Sequence, residues 1–382
     1  MVIDRDVLMP AAPEDPCSLM GMRACVLSDG LWRLRETVAA ATGLQLVKRR
    51  RSGTVGFDCV AGWGRKASAE AARAFALRCG LPYVALEDGF LRSLRPGPGE
   101  RPLSLVCDPI GVHYDATAPS GFEAAIELAC TLDAAREERA RRAMAYLREQ
   151  RLSKYNHAPM LSETRLGLKA RRAAGRVLVI DQTRGDAAIA FGRANAARFG
   201  AMLAAAIAEN PGAQIIVKVH PETVLGRKRG HLKAAGDGAS GVRIMAEAVN
   251  PWALIEAVDT VYTVTSLMGF EALIAGREVH CFGAPFYAGW GLTRDRVAVS
   301  RRTVRPSLTQ LFAAAYFDYA RYAHPKTNTP LSFEEAAVWL KETREAHLAG
   351  RLPIPRARLG VLRGRGAIAR RLGLVAAAST DS

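Results

Sequence analysis

No stretch of eighteen or more apolar residues occurs in the 382-residue chain, so a membrane-spanning helix is not expected. Residues 1–17 carry acids and prolines where a secretory leader has a basic start and an apolar centre, which makes the cytosol the expected compartment. None of the seven cysteines (Cys17, Cys25, Cys59, Cys79, Cys107, Cys130 and Cys281) stands in a C-x-x-C pair, and most lie in apolar runs. That pattern speaks against disulfides and zinc and for reduced core thiols. Internal repeats are missing, as is any recognisable nucleic-acid reader motif.

Acids are scarce as well. Lys and Arg number 53 against 37 Asp and Glu, a net charge of +16. Residues 351–373 hold seven arginines and no acid, yet the remainder is basic too. Anionic partners are therefore expected: nucleic acid, an anionic membrane surface, or substrates bearing phosphate or carboxylate. What the chain has in plenty is apolar side chain, 49% of residues, enough for two well-packed domains.

Short β-rich runs at 23–27, 55–62, 82–87 and 104–107 alternate with helical composition at 66–79 and 123–132. This alternation predicts a parallel sheet covered on both faces. A charged helix at 134–150, a polar segment at 154–159 and a basic stretch at 169–176 form an interdomain connection, after which the pattern restarts. Strands are expected at 176–181, 214–219, 260–264 and 278–282, with helices at 195–209, 252–257 and 269–275. The fold class is thus α/β, two Rossmann-like domains facing across a cleft in the GT-B-type glycosyltransferase arrangement. In that arrangement residues 21–160 are expected to form the acceptor side and 170–305 the nucleotide-sugar side. Helices within 306–350, at 309–322 and 332–349, include one packing back on the first domain, and 351–382 is a basic tail.

The chemistry-bearing motifs cluster where strands end. His220-Pro221 closes one strand, and another runs into Thr265-Ser266 before a helix, which sets hydroxyls and unpaired N–H groups at a positive helix end suited to phosphate. Five residues past Ser266, Glu271 is placed to accept hydrogen bonds from a ribose. Gly62-Trp63-Gly64-Arg65-Lys66 offers a tight turn followed by cations. Glu87-Asp88-Gly89 puts paired acids at a strand's C-terminal end, beside Arg92, where a general base for an acceptor hydroxyl would sit. The plainer reading is a turn with solvated acids and an ion pair. In residues 181–186, glycine frees the backbone, Arg184 can neutralise an anionic sugar, and Asp186 can face the reacting carbon or simply cap a helix. The glycine- and aromatic-rich loop 282–291 suits a rigid pocket wall.

Together, Trp63-Gly64-Arg65-Lys66, 86–93, Tyr114-Asp115-Ala116, Lys154-Tyr155-Asn156, 181–186, 218–221, Asn250-Pro251-Trp252, 264–273 and 282–293 resemble the KpsC-type β-Kdo transferases of bacterial capsule assembly, in order across residues 25–322. Members transfer 3-deoxy-manno-oct-2-ulosonic acid (Kdo) from CMP-β-Kdo and build a poly-β-Kdo linker on lysophosphatidylglycerol. The typical member has two transferase modules; this chain has one. Residues 181–186 are closer to the amino-terminal module type, which implies attack by O4 of an acceptor Kdo, although Ala188 stands where a serine is expected. The acid-acid-Gly, His-Pro and Ser/Thr motifs are also similar to those of bacterial sialyltransferases.

The resemblance implies retention through double displacement. Asp186 is the expected nucleophile and Glu87 the expected base, with Asp88 in reserve; His220 assists departure of CMP. Lys218, His220, Pro221, Asn250, Trp252, Thr265, Ser266 and Glu271 are expected on the CMP side. Arg65, Lys66, Arg92, Gln182, Arg184 and Gly185 are expected on the sugar side, with Arg92, Arg184 and Lys218 undivided between Kdo carboxylate and phosphate. No metal or other cofactor is expected. The expected partners are CMP-Kdo, a Kdo-linked lysophosphatidylglycerol acceptor, capsule-assembly proteins and the anionic inner leaflet, to which arginines alternating with apolar residues at 356–375 would bind peripherally; nucleic acid is not expected. The alternatives are an inverting CMP-sialic-acid-type transferase and a basic nucleic-acid-binding protein.

Overall fold

The computed structural model describes residues 19–49, 56–97, 99–170, 173–220, 223, 228–232 and 242–352. Cys17, Pro221 and the basic tail from 353 onward, with the readings attached to them, lie outside the described residues.

Two sheets organise the chain. The first contains β1 (Arg23–Val26), β2 (Gln45–Lys48), β3 (Cys59–Trp63), β4 (Tyr83–Asp88) and β5 (Ser104–Asp108), joined by β12 (Ala320–Ala323) and β13 (Pro330–Leu331) in the order β13-β12-β5-β4-β3-β1-β2. The second contains β6 (Arg176–Ile180), β7 (Gln214–Lys218), β8 (Val242–Met245), β9 (Thr260–Thr263), β10 (Glu278–Cys281) and β11 (Arg294–Asp295), ordered β11-β10-β9-β6-β7-β8. Every pairing in the second sheet is parallel. All five residues of β6 are buried, as a strand covered by helices on both faces requires.

The first sheet corrects the parallel expectation. β1 to β4 are parallel, but β5 runs antiparallel to β4 and β12 antiparallel to β5. Among the described residues no helix separates β4 from β5; Gly89 N–H is bonded to Ser104 O at 2.9 Å, so the chain returns alongside instead of crossing over. The helix expected at 309–322 is corrected too. It is α-helical only over Leu308–Ala313, continues as a π-helix over Ala314–Tyr319, and gives way to β12, which covers the otherwise open edge of β5. The final helix, Phe333–Leu348, begins with a capping box between Ser332 and Glu335. Among the described residues no helix is long and apolar enough to cross a membrane.

The lobes share one core. Phe90 of the first packs on Phe286 of the second, with ring centroids 4.8 Å apart, and both belong to a buried cluster that includes Phe122, Phe270, Tyr287 and Tyr316. Beside it, Glu123 receives Arg301 Nε at 2.6 Å and Arg302 Nε at 2.8 Å from the other lobe. The connector is gripped from both sides: Lys154 O accepts from the N–H groups of Arg92 and Ser93, while Trp252 Nε1 donates to Leu152 O at 2.9 Å. This is the GT-B-type arrangement of two α/β lobes, and residues that follow β3 and β6 meet where Arg65 lies over the Phe191 ring at 4.5 Å.

Candidate functional site

The first-lobe wall is built on the ends of β3 and β4. Glu87 and Asp88 are partly buried, and they differ in their partners. Asp88 is ion-paired with Arg92 at 2.9 Å, and Arg92, 8% exposed, also donates to Ser93 Oγ. Arg92 therefore serves Asp88 and not the open cleft. Glu87 accepts the Asp88 N–H at 2.9 Å and meets the Tyr114 hydroxyl at 3.5 Å. Burial pushes the Glu87 carboxyl above its ordinary value, Asp88 adds to the rise, and Lys154 and Lys66 oppose it. Gly64, at φ +53°, lies so close that a Cβ there would collide with the Tyr114 hydroxyl and Glu87 Oε2.

Tyr114 joins the walls. Its oxygen accepts the Arg65 N–H at 2.8 Å. Burial, then the charges of Glu87 and, across the cleft, Asp186 hold its hydroxyl well above the usual tyrosine value. Arg65 stands over the Phe191 ring at 4.5 Å, and Ala116 N–H bonds Phe191 O, so the helix that follows Asp186 is docked on the first lobe. Lys66 is exposed on the same rim.

The second-lobe wall starts where β6 ends. Asp181 Oδ1 accepts the N–H groups of Gln182, His231 and Leu232, which pins the loop 229–232. Gly185, at φ +81° with open space where a Cβ would stand, turns the chain. Asp186 then caps the helix Ala187–Phe191: Oδ1 accepts Ala188 N–H at 3.0 Å and Oδ2 accepts Gln182 Nε2 at 3.1 Å. Arg184 donates Nε to Gly230 O and is otherwise exposed. Past β9, Thr265 N–H donates to Gln182 Oε1 at 2.9 Å, and Ser266 Oγ accepts Met268 N–H at 3.3 Å. The helix there, Met268–Ile274, is seven residues long. His220, half-buried, follows β7 on the same rim.

Four of the residues expected on the CMP side have other partners. Lys218 is 6% exposed and donates to Glu247 O at 2.7 Å; burial pulls its ammonium down to about 8. Asn250 caps the helix Pro251–Ile255 and donates to Arg151 O, while Trp252 is fully buried on Leu152 O. Glu271, 2% exposed, accepts Ser153 Oγ at 2.5 Å and the Lys154 N–H, and burial raises it to about 7. Asn250, Trp252 and Glu271 thus anchor the connector instead of facing the cleft. Their partners lie about a hundred residues away, which no local pattern reveals.

Two groups stand out here that the motif reading did not assign. Lys154 faces the acid pair; burial presses its ammonium down, but Asp88, Tyr155 and Glu87 outweigh this and hold it above the ordinary lysine value. His231 stacks on Phe199 at 4.1 Å near Asp181, Arg184 and Asp186. Lys154 stands in the Lys154-Tyr155-Asn156 motif, which gave it no role of its own, and no motif pointed to His231.

Residues 58–322 fit the profile of the capsule polysaccharide biosynthesis protein family. The chain belongs to that family. The capsule polysaccharide modification protein LipA of Neisseria meningitidis serogroup A / serotype 4A is 46% identical over 280 residues, 71% of this chain and 39% of LipA. The lipopolysaccharide-processing protein LpsZ of Rhizobium meliloti is 41% identical over 280 residues, 73% of this chain and 62% of LpsZ. The chain therefore spans less than two thirds of either relative. Among solved structures, the β-Kdo 2,4 transferase of Thermosulfurimonas dismutans KpsC superposes with a TM-score of 0.77 at 41% identity, covering 84% of this chain and 98% of that one. The β-Kdo 2,7 transferase of the same protein gives 0.64 at 29% identity, covering 84% and 99%. The fold of this chain is KpsC-like and GT-B-type.

Proposed function

We propose that this chain is a retaining β-Kdo transferase of capsule assembly, moving Kdo from CMP-β-Kdo to O4 of a Kdo-terminated lysophosphatidylglycerol linker. The observation that carries the reading is a chain of contacts between the lobes: Glu87 meets the Tyr114 hydroxyl at 3.5 Å, that hydroxyl accepts the Arg65 N–H at 2.8 Å, and Arg65 lies over Phe191 at 4.5 Å in the helix that Asp186 caps. Retaining transfer by double displacement needs two carboxyl groups flanking the anomeric carbon at about 5–5.5 Å.

In the first step an Asp186 oxygen attacks C2 of Kdo, the C2–O bond to phosphate breaks, and its electron pair leaves with CMP. Ser266 supports this step: its oxygen already accepts from Met268, so its proton is available for a phosphate oxygen. His220 on the neighbouring rim supplies a second donor, and Arg184 balances the Kdo carboxylate. In the second step Glu87 takes the proton of the acceptor hydroxyl, whose oxygen attacks C2 and displaces Asp186. The raised Glu87 carboxyl is a better base than an ordinary one. Asp88, ion-paired with Arg92, is the weaker candidate. The greater likeness to the 2,4 than to the 2,7 transferase favours O4. The lipid acceptor makes peripheral work at the inner face of the cytoplasmic membrane, beside other capsule-assembly proteins, the expected setting, and no resident metal enters the scheme.

Purified protein given CMP-Kdo and a Kdo-terminated glycolipid mimic tests it. Nuclear magnetic resonance of the product is expected to show a β-Kdo linked 2,4 and no product from Asp186→Ala. An α-linked product would replace retention with inversion.

A further inference from the structure

Gln182 is held at both ends of its amide. Thr265 main-chain N–H can only donate, so the amide atom facing it at 2.9 Å is the oxygen, which fixes the nitrogen as the end that meets Asp186 Oδ2 at 3.1 Å and Thr265 Oγ1 at 3.0 Å. At 5% exposure the side chain has little water competing for these bonds. The other oxygen of Asp186 accepts Ala188 N–H at 3.0 Å. With one donor on each oxygen the carboxylate cannot turn about its own axis, yet an ionised carboxylate offers about four acceptor positions, so about two remain for an incoming electrophile. An amide also orients the group without adding a positive charge that would draw off its nucleophilicity.

We propose that Gln182 is a positioning residue for Asp186, not a ligand of the sugar, and that through Thr265 it ties the nucleophile on the β6 rim to the phosphate-facing residues on the β9 rim. The inference rests on the reading of Asp186 as nucleophile. Gln182→Glu keeps an oxygen for the Thr265 N–H but removes the donor to Asp186, and Gln182→Met removes both ends at similar length.

Steady-state and single-turnover kinetics with CMP-Kdo as donor separate the roles. Positioning predicts a fall in kcat, and in the rate of adduct formation, on the order of 10²-fold with donor KM unchanged. A raised donor KM with unchanged kcat would make Gln182 a substrate ligand and overturn the proposal. So would wild-type kcat in both variants while Asp186→Ala is inactive, which leaves the nucleophile assignment standing. Full transfer by Asp186→Ala would instead remove that assignment and the inference with it. Should Gln182→Met not fold, the near-isosteric Gln182→Glu decides the same question.

Discussion

Ser153 of the connector donates its hydroxyl to Glu271 of the second lobe at 2.5 Å, and the next residue's main-chain N–H reaches the same carboxyl. Glu271 is thus a joint between the lobes. Burial raises it to about 7 against the ordinary glutamate range, so the folded chain keeps a proton that the unfolded chain has already released. The contribution is complete at low pH and is lost as pH rises through the folded value, by up to ~3 kcal/mol. Denaturant titrations at about pH 5 and about pH 8 are expected to show this loss in the wild type but not in Glu271→Gln.

Glu123 makes a second joint. Removing it by Glu123→Ala leaves Arg302, whose side chain is 1% exposed, without its carboxylate. Breaking a buried pair from one side costs about 3–5 kcal/mol. Hydrogen exchange is expected to rise at 116–123 and 299–305, where Arg301 also binds the carbonyls of Ala116 and Ala118.

Lys218 offers a test of the donor side. Because its ammonium binds the Glu247 carbonyl, Lys218→Met is expected to leave the donor KM unchanged while altering stability. A large rise in donor KM would return Lys218 to the phosphate.

The catalytic scheme draws its positive charge from side chains and N–H groups. Transfer rates are therefore expected to survive EDTA treatment, and loss of activity restored by a divalent cation would add a metal to the scheme.

The rims of the cleft were legible in the sequence because strand ends announce themselves: Glu87 and Asp88 close β4, and 181–186 follow β6 directly. The duties of individual side chains were less so. Asn250 and Trp252 sit in a motif beside the donor strands, but their polar atoms answer to Arg151 and Leu152, a relation set only by tertiary folding. The direction of β5 was hidden for the same reason, since strand composition does not encode which neighbour a strand meets. Residues 314–323 have helical composition, and only the open edge of β5 explains why Ala320–Ala323 extends. Tyr114 stands in the Tyr114-Asp115-Ala116 motif, but nothing in that motif showed that its hydroxyl would meet Glu87.

Peptide mass mapping of Glu87→Gln after exposure to CMP-Kdo addresses the central claim most directly. With the second step blocked, the covalent intermediate is expected to accumulate as one Kdo residue on the peptide containing Asp186. An unmodified Asp186 in a protein that still releases CMP, or Kdo carried by another residue, would contradict the account.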